Sequence, residues 1–210
     1  MLKRIDGHAA WVNSLALERA GITSATRVEG GDVILSNGEP SGILIDNAID
    51  LVTRLIPPAG PQATVNALLR AQDSCFAVGL TSLHDAGLDR TIIELIDTLQ
   101  KEGRLKMRVN AMLSATEENF SHFMENGPVR NDYLTIGTLK LFSDGALGSR
   151  GALLTEPYSD DPGNRGLRLT PEGQLINHCR KAYEHNFQVA THAIGDEANR
   201  LMLKIYGEIL

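Results

Sequence analysis

Apolar runs alternate with helix-period segments from about residue 61, and this alternation constrains the fold more than any other feature. Four such runs are centred near Thr81, Val109, Leu139 and Ala190, with helical segments between them. Strands that alternate with helices favour right-handed βαβ units and a parallel sheet. The first two intervals, of 28 and 30 residues, match the roughly 30 residues per βα unit of an eightfold barrel. The sequence therefore predicts an α/β fold.

Residues 1–60 do not follow this pattern. Asn13 or Ser14 is expected to cap a short helix, and the turn-rich stretch EGGDVILSNGEPSG predicts a small hairpin. A proline-rich break then precedes the next helix. We therefore expect an irregular leading segment, 1–60, and a regular α/β segment, 61–210.

Composition excludes several classes of partner. The 210 residues include 20 Lys and Arg against 26 Asp and Glu, for a net charge of −6, and phosphate binding needs a basic footprint. No apolar stretch reaches the roughly 18 residues of a membrane span, and the first residues lack a signal-peptide core. The two cysteines show no C-x-x-C spacing. We expect a cytoplasmic protein that binds neither nucleic acid nor membranes.

Polar residues mark the ends of three predicted strands. A lysine within the buried run LTIGTLKLF is costly unless it binds a ligand, pairs with a carboxylate or is modified. Spacing alone leaves a structural ion pair and a functional role equally open, and a strand-end histidine can also be purely structural. The candidates are His84, Asp85, Lys140, Asp144, His192 and Asp196.

The longest irregular insertion, DGALGSRGALLTEPYSDDPGNRG, follows the third predicted strand, where α/β proteins keep their sites. Its G-x-x-G-x-x-G spacing differs from the dinucleotide fingerprint and predicts backbone freedom in a loop over a pocket. Ser149 and Arg150 in this loop are candidates to bind an anionic or carbonyl group, or they form an ordinary turn. His8 and Trp11 lie either at a substrate-facing edge or in a packed corner. There is no H-E-x-x-H, P-loop or G-x-S-x-G motif.

Five phrases resemble a known family when taken in order. They are DGHAAWVNSLALERAGI, GEPSGILID, GLTSLHDAG, TLKLFSDGALGSRGALLTEPYSD and VATHAIGDEAN. Together they resemble the metal-dependent amidohydrolase superfamily, in the branch similar to N-substituted formamide deformylases that is often called amidohydrolase family 3. The resemblance runs over nearly the whole chain.

The resemblance implies a (β/α)8 TIM barrel with metal at the carboxyl ends of its strands and hydrolysis of an amide or related C–N bond by metal-activated water. Lys140 matches the fourth-strand lysine, which is carbamylated in some such enzymes, and His192 matches the fifth-strand metal histidine. Zinc takes imidazole and carboxylate oxygen ligands and lowers the pKa of its bound water to about 7. Asp196 would orient His192. The pocket would be lined or covered by His8, Trp11, His84, Asp85, Asp144, Ser149 and Arg150.

The chain departs from this family in one respect. It contains no His-x-His pair and holds only about strands 2 to 5, after an excursion that would lie between strands 1 and 2. A catalytic zinc site has three protein ligands, but only two, Lys140 and His192, are expected here. His84 is a candidate for the third. We therefore expect a central fragment with an incomplete metal site and little activity alone. No catalytic base is assigned and the substrate cannot be named.

Two other functions compete with this one. A half-barrel has open strand edges and an uncovered apolar face, which predicts a self-associating module or one completed by separate strands. A metal-free α/β enzyme would use Asp144 or His192 for acid–base chemistry. The last is the weakest hypothesis because no second catalytic constellation is present.

Overall fold

A computed structural model describes residues 1–209 of the chain. These residues form two compact units, each assembled from separate stretches of sequence. The first unit comprises residues 1–57, 142–175 and 191–208, and the second comprises residues 58–141 and 176–190 with residue 209. The first change of unit falls between residues 57 and 58. The leading segment, however, shares its unit with the long loop and with the last helix.

Nine strands are present in the described residues. They are β1 (Leu2–Lys3), β2 (Ala9–Trp11), β3 (Gly31–Ser36), β4 (Glu39–Asp46), β5 (Ser82–Leu88), β6 (Arg108–Ser114), β7 (Val129–Arg130), β8 (Leu134–Phe142) and β9 (Gln188–His192).

Seven α-helices lie between or after these strands. They are α1 (Ser14–Arg19), α2 (Asp50–Thr53), α3 (Pro61–Ala77), α4 (Arg90–Lys101), α5 (Glu117–Asn119), α6 (Glu172–Glu184) and α7 (Asp196–Ile209). Helical turns of other types cover Asn47–Ile49, Phe120–Met124 and Leu147–Ser149. No helix in residues 1–209 is long and apolar enough to cross a membrane.

The first unit is built on an antiparallel sheet with strand order β1-β2-β4-β3. Asn37 and Gly38, with φ of 53° and 84°, form the turn between β3 and β4, as the Asn-Gly signal predicts. The side chain of Asn13 accepts a hydrogen bond from the backbone of Ala16 and so caps α1. Leu44, Ala48 and apolar residues around them form the core of this segment.

The second unit contains the predicted parallel sheet. Strands β5, β6 and β8 are neighbours in this order and run parallel, and β9 also pairs with β8. Strand β6 buries every second residue, as a strand packed on one face does. Helix α4 buries Ile93, Ile96 and Leu99. Ile92 and Leu95 are half-buried beside this face.

Candidate functional site

The most unusual polar contact in the first unit joins His8 to Asp46. Strands β2 and β4 pair so that Ala9 faces Ile45, and the backbone N–H of Asp46 donates to the carbonyl of His8 at 3.2 Å. The pairing places the two side chains together, with Nδ1 of His8 2.5 Å from Oδ1 of Asp46. The Asp46 side chain is 1% exposed and that of His8 is 14% exposed. The pair therefore joins a buried carboxylate to a ring that reaches the surface.

Asp46 adopts a backbone conformation that L residues rarely hold, with φ 47° and ψ −123°. Its second carboxylate oxygen, Oδ2, is buried and has no hydrogen-bond partner in residues 1–209. Burial raises the pKa of this carboxyl group, and the hydrogen bond from His8 opposes that rise. Backbone strain combined with an unsatisfied buried oxygen is typical of functional sites.

The glycine spacing in the long loop has a steric cause. A Cβ atom added at Gly145 or Gly151 would overlap Oδ2 of Asp46, whereas one at Gly148 would meet only the end of an arginine side chain. None of the three glycines has a positive φ. The loop therefore needs glycine at positions 145 and 151 because it approaches Asp46 closely, and not for backbone freedom as predicted.

His192, at the end of β9, lies beside this pair. Its ring centroid is 4.9 Å from that of His8 and 5.7 Å from that of Phe142. Its Nε2 lies 3.3 Å from the carbonyl oxygen of Gly145. Of the predicted site residues, the structure therefore brings His8 and His192 together in the first unit.

Asp144 has a different role from the predicted one. Its side chain is fully buried, and its two oxygens accept hydrogen bonds from the backbone N–H groups of Leu153, Ile194 and Gly195, at 2.8, 2.9 and 2.8 Å. These hydrogen bonds tie the long loop to the turn after β9, so Asp144 braces these two segments.

Asp196 also differs from its prediction. Its carboxylate accepts hydrogen bonds from the backbone N–H and the hydroxyl of Thr155, at 3.0 and 2.5 Å. These bonds lower the pKa of Asp196. The residue therefore fastens the long loop to the start of α7, where a carboxylate also suits the helix dipole, instead of orienting His192.

Ser149, Arg150 and Trp11 line two other concavities of the first unit. Ser149 and Arg150 contribute to a cavity of about 510 Å³, in which Arg150 is paired with Asp160 at 2.7 Å. Trp11 is 63% exposed and lines an apolar groove of about 430 Å³ with Leu2 and Ile43. His8 and His192 line neither of these spaces.

Lys140, in the second unit, lies in β8 opposite Ser114 of β6. Its ammonium group donates a hydrogen bond to the carbonyl of Leu141 at 2.9 Å. Burial lowers its pKa from the ordinary 10.5 to about 8. Burial therefore makes the charge of Lys140 costly to place in the strand.

His84 and Asp85 lie within β5, which continues to Leu88, and not at its end. His84 pairs in register with Asn110, four residues before the partner of Lys140, so it lies about 13 Å lower along the sheet. His84 and Asn110 are hydrogen-bonded to each other and line a cavity of about 240 Å³ at the amino ends of the strands. Burial raises the pKa of Asp85. In this structure His84 is therefore separated from Lys140 along the sheet.

The resemblance implies a metal site, but the described residues do not supply a full set of ligands for it. In residues 1–209, no three His, Cys, Asp or Glu side chains lie close enough together to hold a metal ion. His192 and the oriented ring of His8 are two imidazoles in contact, but a catalytic zinc site has three protein ligands. The residues present therefore do not fit a complete site.

Sequence reasoning missed Asp46. The residue stands in the phrase GEPSGILID, directly after the apolar run ILI, and so it had the same strand-end signal that marked Asp144. Its significance depends on partners 38 residues earlier in the chain and about 100 residues later, which no local pattern reveals.

Comparisons with known proteins agree with this structure. YtcJ of Bacillus subtilis (strain 168) is 37% identical over 205 residues, and the protein LONG AFTER FAR-RED 3 of Arabidopsis thaliana is 36% identical over 222 residues. These matches cover 94% and 99% of this chain and 38% of each relative. The chain thus spans about two fifths of the length of these curated relatives.

Two solved structures share the fold. Both are described as uncharacterized metal-dependent hydrolases, one from Pyrococcus horikoshii OT3 (TM-score 0.74, 28% identity) and one from Pyrococcus furiosus (TM-score 0.73, 27% identity). They match 98% and 96% of this chain, which covers 41% and 42% of theirs. The model of the amidohydrolase family matches residues 1–208, and the chain belongs to that family.

Proposed function

We propose that this chain carries the central part of a (β/α)8 barrel, about strands 2 to 5, from an enzyme that hydrolyses non-peptide C–N bonds in small amides. The N-substituted formamide deformylases are the branch that its phrases most resemble. The observation that carries the proposal is Lys140, a half-buried amine near the carboxyl end of a parallel strand, at the position where this family places a metal-binding lysine. Its lowered pKa increases the fraction of neutral amine, which is the form that carbamylation requires.

The metal ligands of the parent enzyme would be Lys140 and His192, and the metal would be divalent, with zinc preferred for a site of imidazole and carbamate oxygen donors. In residues 1–209, no three His, Cys, Asp or Glu side chains come together in a group that could hold a metal ion. We therefore propose that the chain alone does not turn over. We further propose that the parent enzyme is cytoplasmic and that its substrate is a small-molecule amide. It is expected to bind neither nucleic acid nor membranes.

The test measures metal content and turnover together. The purified chain is dialysed against a small excess of zinc, its bound metal is measured by mass spectrometry, and N-formyl and N-acyl amines are offered as substrates. We expect less than one tightly bound metal per chain and no hydrolysis. One zinc per chain with turnover that K140M and H192Q each abolish would overturn the inactivity and strengthen the site assignment. Turnover that survives both variants would overturn the assignment of these ligands.

A second candidate is a non-catalytic module that self-associates. Within the described residues, β5 pairs with β6 alone, so its other edge presents unpaired backbone groups over seven residues. Such an edge can pair with a second copy of the chain. Light scattering over a range of concentrations is the measurement. A dimer would support this candidate, and a cooperatively folding monomer would exclude it.

A further inference from the structure

We propose that Asp46 is a positioning residue that holds His8 with its proton on Nδ1, so that Nε2 of His8 accepts a hydrogen bond from an N–H or O–H group of an amide substrate beside His192. The substrate part of this inference rests on the proposed function. The geometric part rests on the first unit alone.

The tautomer follows from which atom faces the carboxylate. Oδ1 of Asp46 lies 2.5 Å from Nδ1 of His8, and an ionised carboxylate can only accept a hydrogen bond, so Nδ1 donates. In residues 1–209, Nε2 of His8 makes no hydrogen bond, and its lone pair is then available on the far side of the ring. The backbone hydrogen bond from Asp46 to His8 keeps this orientation by joining the same two residues.

A purely structural role does not account for the contacts of Asp46. Asp144 is the comparison within the same unit, because its two oxygens accept three backbone N–H groups. The side chain of Asp46 is also buried, yet the only hydrogen-bond partner of its carboxylate in residues 1–209 is the ring of His8. A buried carboxylate that serves one side chain while its own backbone is strained is costly for stability. This cost is explained if the function of the residue is to orient that ring.

The surroundings keep this arrangement rigid. Gly145 and Gly151 allow the loop to close on Oδ2 of Asp46, where a Cβ atom at either position would overlap that oxygen. The ring of His192, 4.9 Å away, packs beside His8. A substrate group that reaches His192 would therefore find Nε2 of His8 within the same small area.

The experiment records nitrogen chemical shifts of the histidine rings in the 15N-labelled chain at pH 8. We expect the ring of His8 in the Nδ1–H form. In D46N, the Asn side chain can donate to the ring, and we expect the Nε2–H form instead. The matched control is D6N. Asp6 accepts hydrogen bonds from Arg4 and from the backbone N–H of His8 but does not contact the His8 ring, so the change should leave the tautomer unchanged.

The substrate part is tested by titration with N-methylformamide, followed by the same ring signals. We expect D46N and H8F to bind it about tenfold more weakly than the unaltered chain, as for one lost hydrogen bond, with D6N unaffected. An Nε2–H ring in the unaltered chain, or an unchanged tautomer in D46N, would overturn the positioning role. The spectrum of the unaltered chain decides the tautomer even if D46N fails to fold.

These outcomes separate this inference from the proposed function. A correct tautomer in a chain that lacks metal and turnover would still support the role of Asp46. A correct tautomer without any response to the amide would overturn the substrate contact alone.

Discussion

The two units of this chain are stabilised in different ways. In the second unit, strand β6 and helix α4 bury apolar side chains at regular intervals, and the buried amide side chains Gln72 and Asn119 are uncharged. The first unit buries two carboxylates, Asp46 and Asp144, and each bonds to residues far away in sequence. Regular packing tolerates gradual change, whereas a buried polar network loses several contacts when one member is removed. The following predictions test this difference.

The largest loss is expected for Asp144→Ala in the first unit. The change leaves three buried backbone N–H groups without their acceptor, which should lower the free energy of unfolding by about 4 kcal/mol. Urea denaturation measures this value. Asp160→Ala is the control because that carboxylate is exposed in the same loop, and it should change stability little. Equal losses for the two variants would contradict the bracing role.

Helix α4 of the second unit should respond in graded steps. Ile96→Val is expected to cost about 1 kcal/mol and Ile96→Ala about 3 kcal/mol, because each removes buried methyl groups and leaves a cavity. Thr98→Ala, at an exposed position of the same helix, serves as the control. The three variants are compared by denaturation under the same conditions. If the valine variant is as unstable as the alanine variant, the loss of stability does not grow with the number of methyl groups removed, which would contradict this prediction.

A smaller effect is expected from the glycines of the long loop. Gly145→Ala should lower the free energy of unfolding by about 2 kcal/mol, since the added methyl group overlaps the carboxylate of Asp46. Gly148→Ala is the matched control three residues away, where the methyl group meets no backbone, and it should change stability by less than about 0.5 kcal/mol. If both variants behave alike, the close approach of the loop to Asp46 is not what requires glycine.

The smallest effect concerns thiol reactivity in the second unit, with no change in stability. Cys179 is fully buried and burial raises its pKa to about 11, so it stays protonated at pH 8. Cys75 is half-buried. Iodoacetamide at pH 8 should therefore modify Cys75 well before Cys179, as followed by peptide mass spectrometry. Equal rates would indicate that the packing around α6 opens readily.

The same difference between the units decides how much could be predicted from the sequence. The strands near Val109 and Leu139 were located correctly because their signal is local: apolar runs bounded by helical periods. The end of β5 was placed too early, because the polar residues His84 and Asp85 were taken to mark it. The strand in fact continues through a register shift to Leu88.

The candidate site was predicted only in part. His8 and His192 were both chosen from the sequence, and the structure places them in contact. The role of Asp46 was not predicted, and those of Asp144 and Asp196 were assigned differently. Each depends on a hydrogen bond or a steric contact across 38 or more residues. Period and spacing do not encode such pairings, so only coordinates reveal them.

The close fit between Asp46 and the glycines of the loop has a consequence for synthesis on the ribosome. The two partners are separated by about 100 residues, so the end of β4 emerges long before Gly145 does. Until then, the antiparallel sheet can form with the carboxylate of Asp46 still hydrated and its backbone free to relax. The strained conformation therefore develops late in folding, when arrival of the loop withdraws water from a carboxylate already paired with His8.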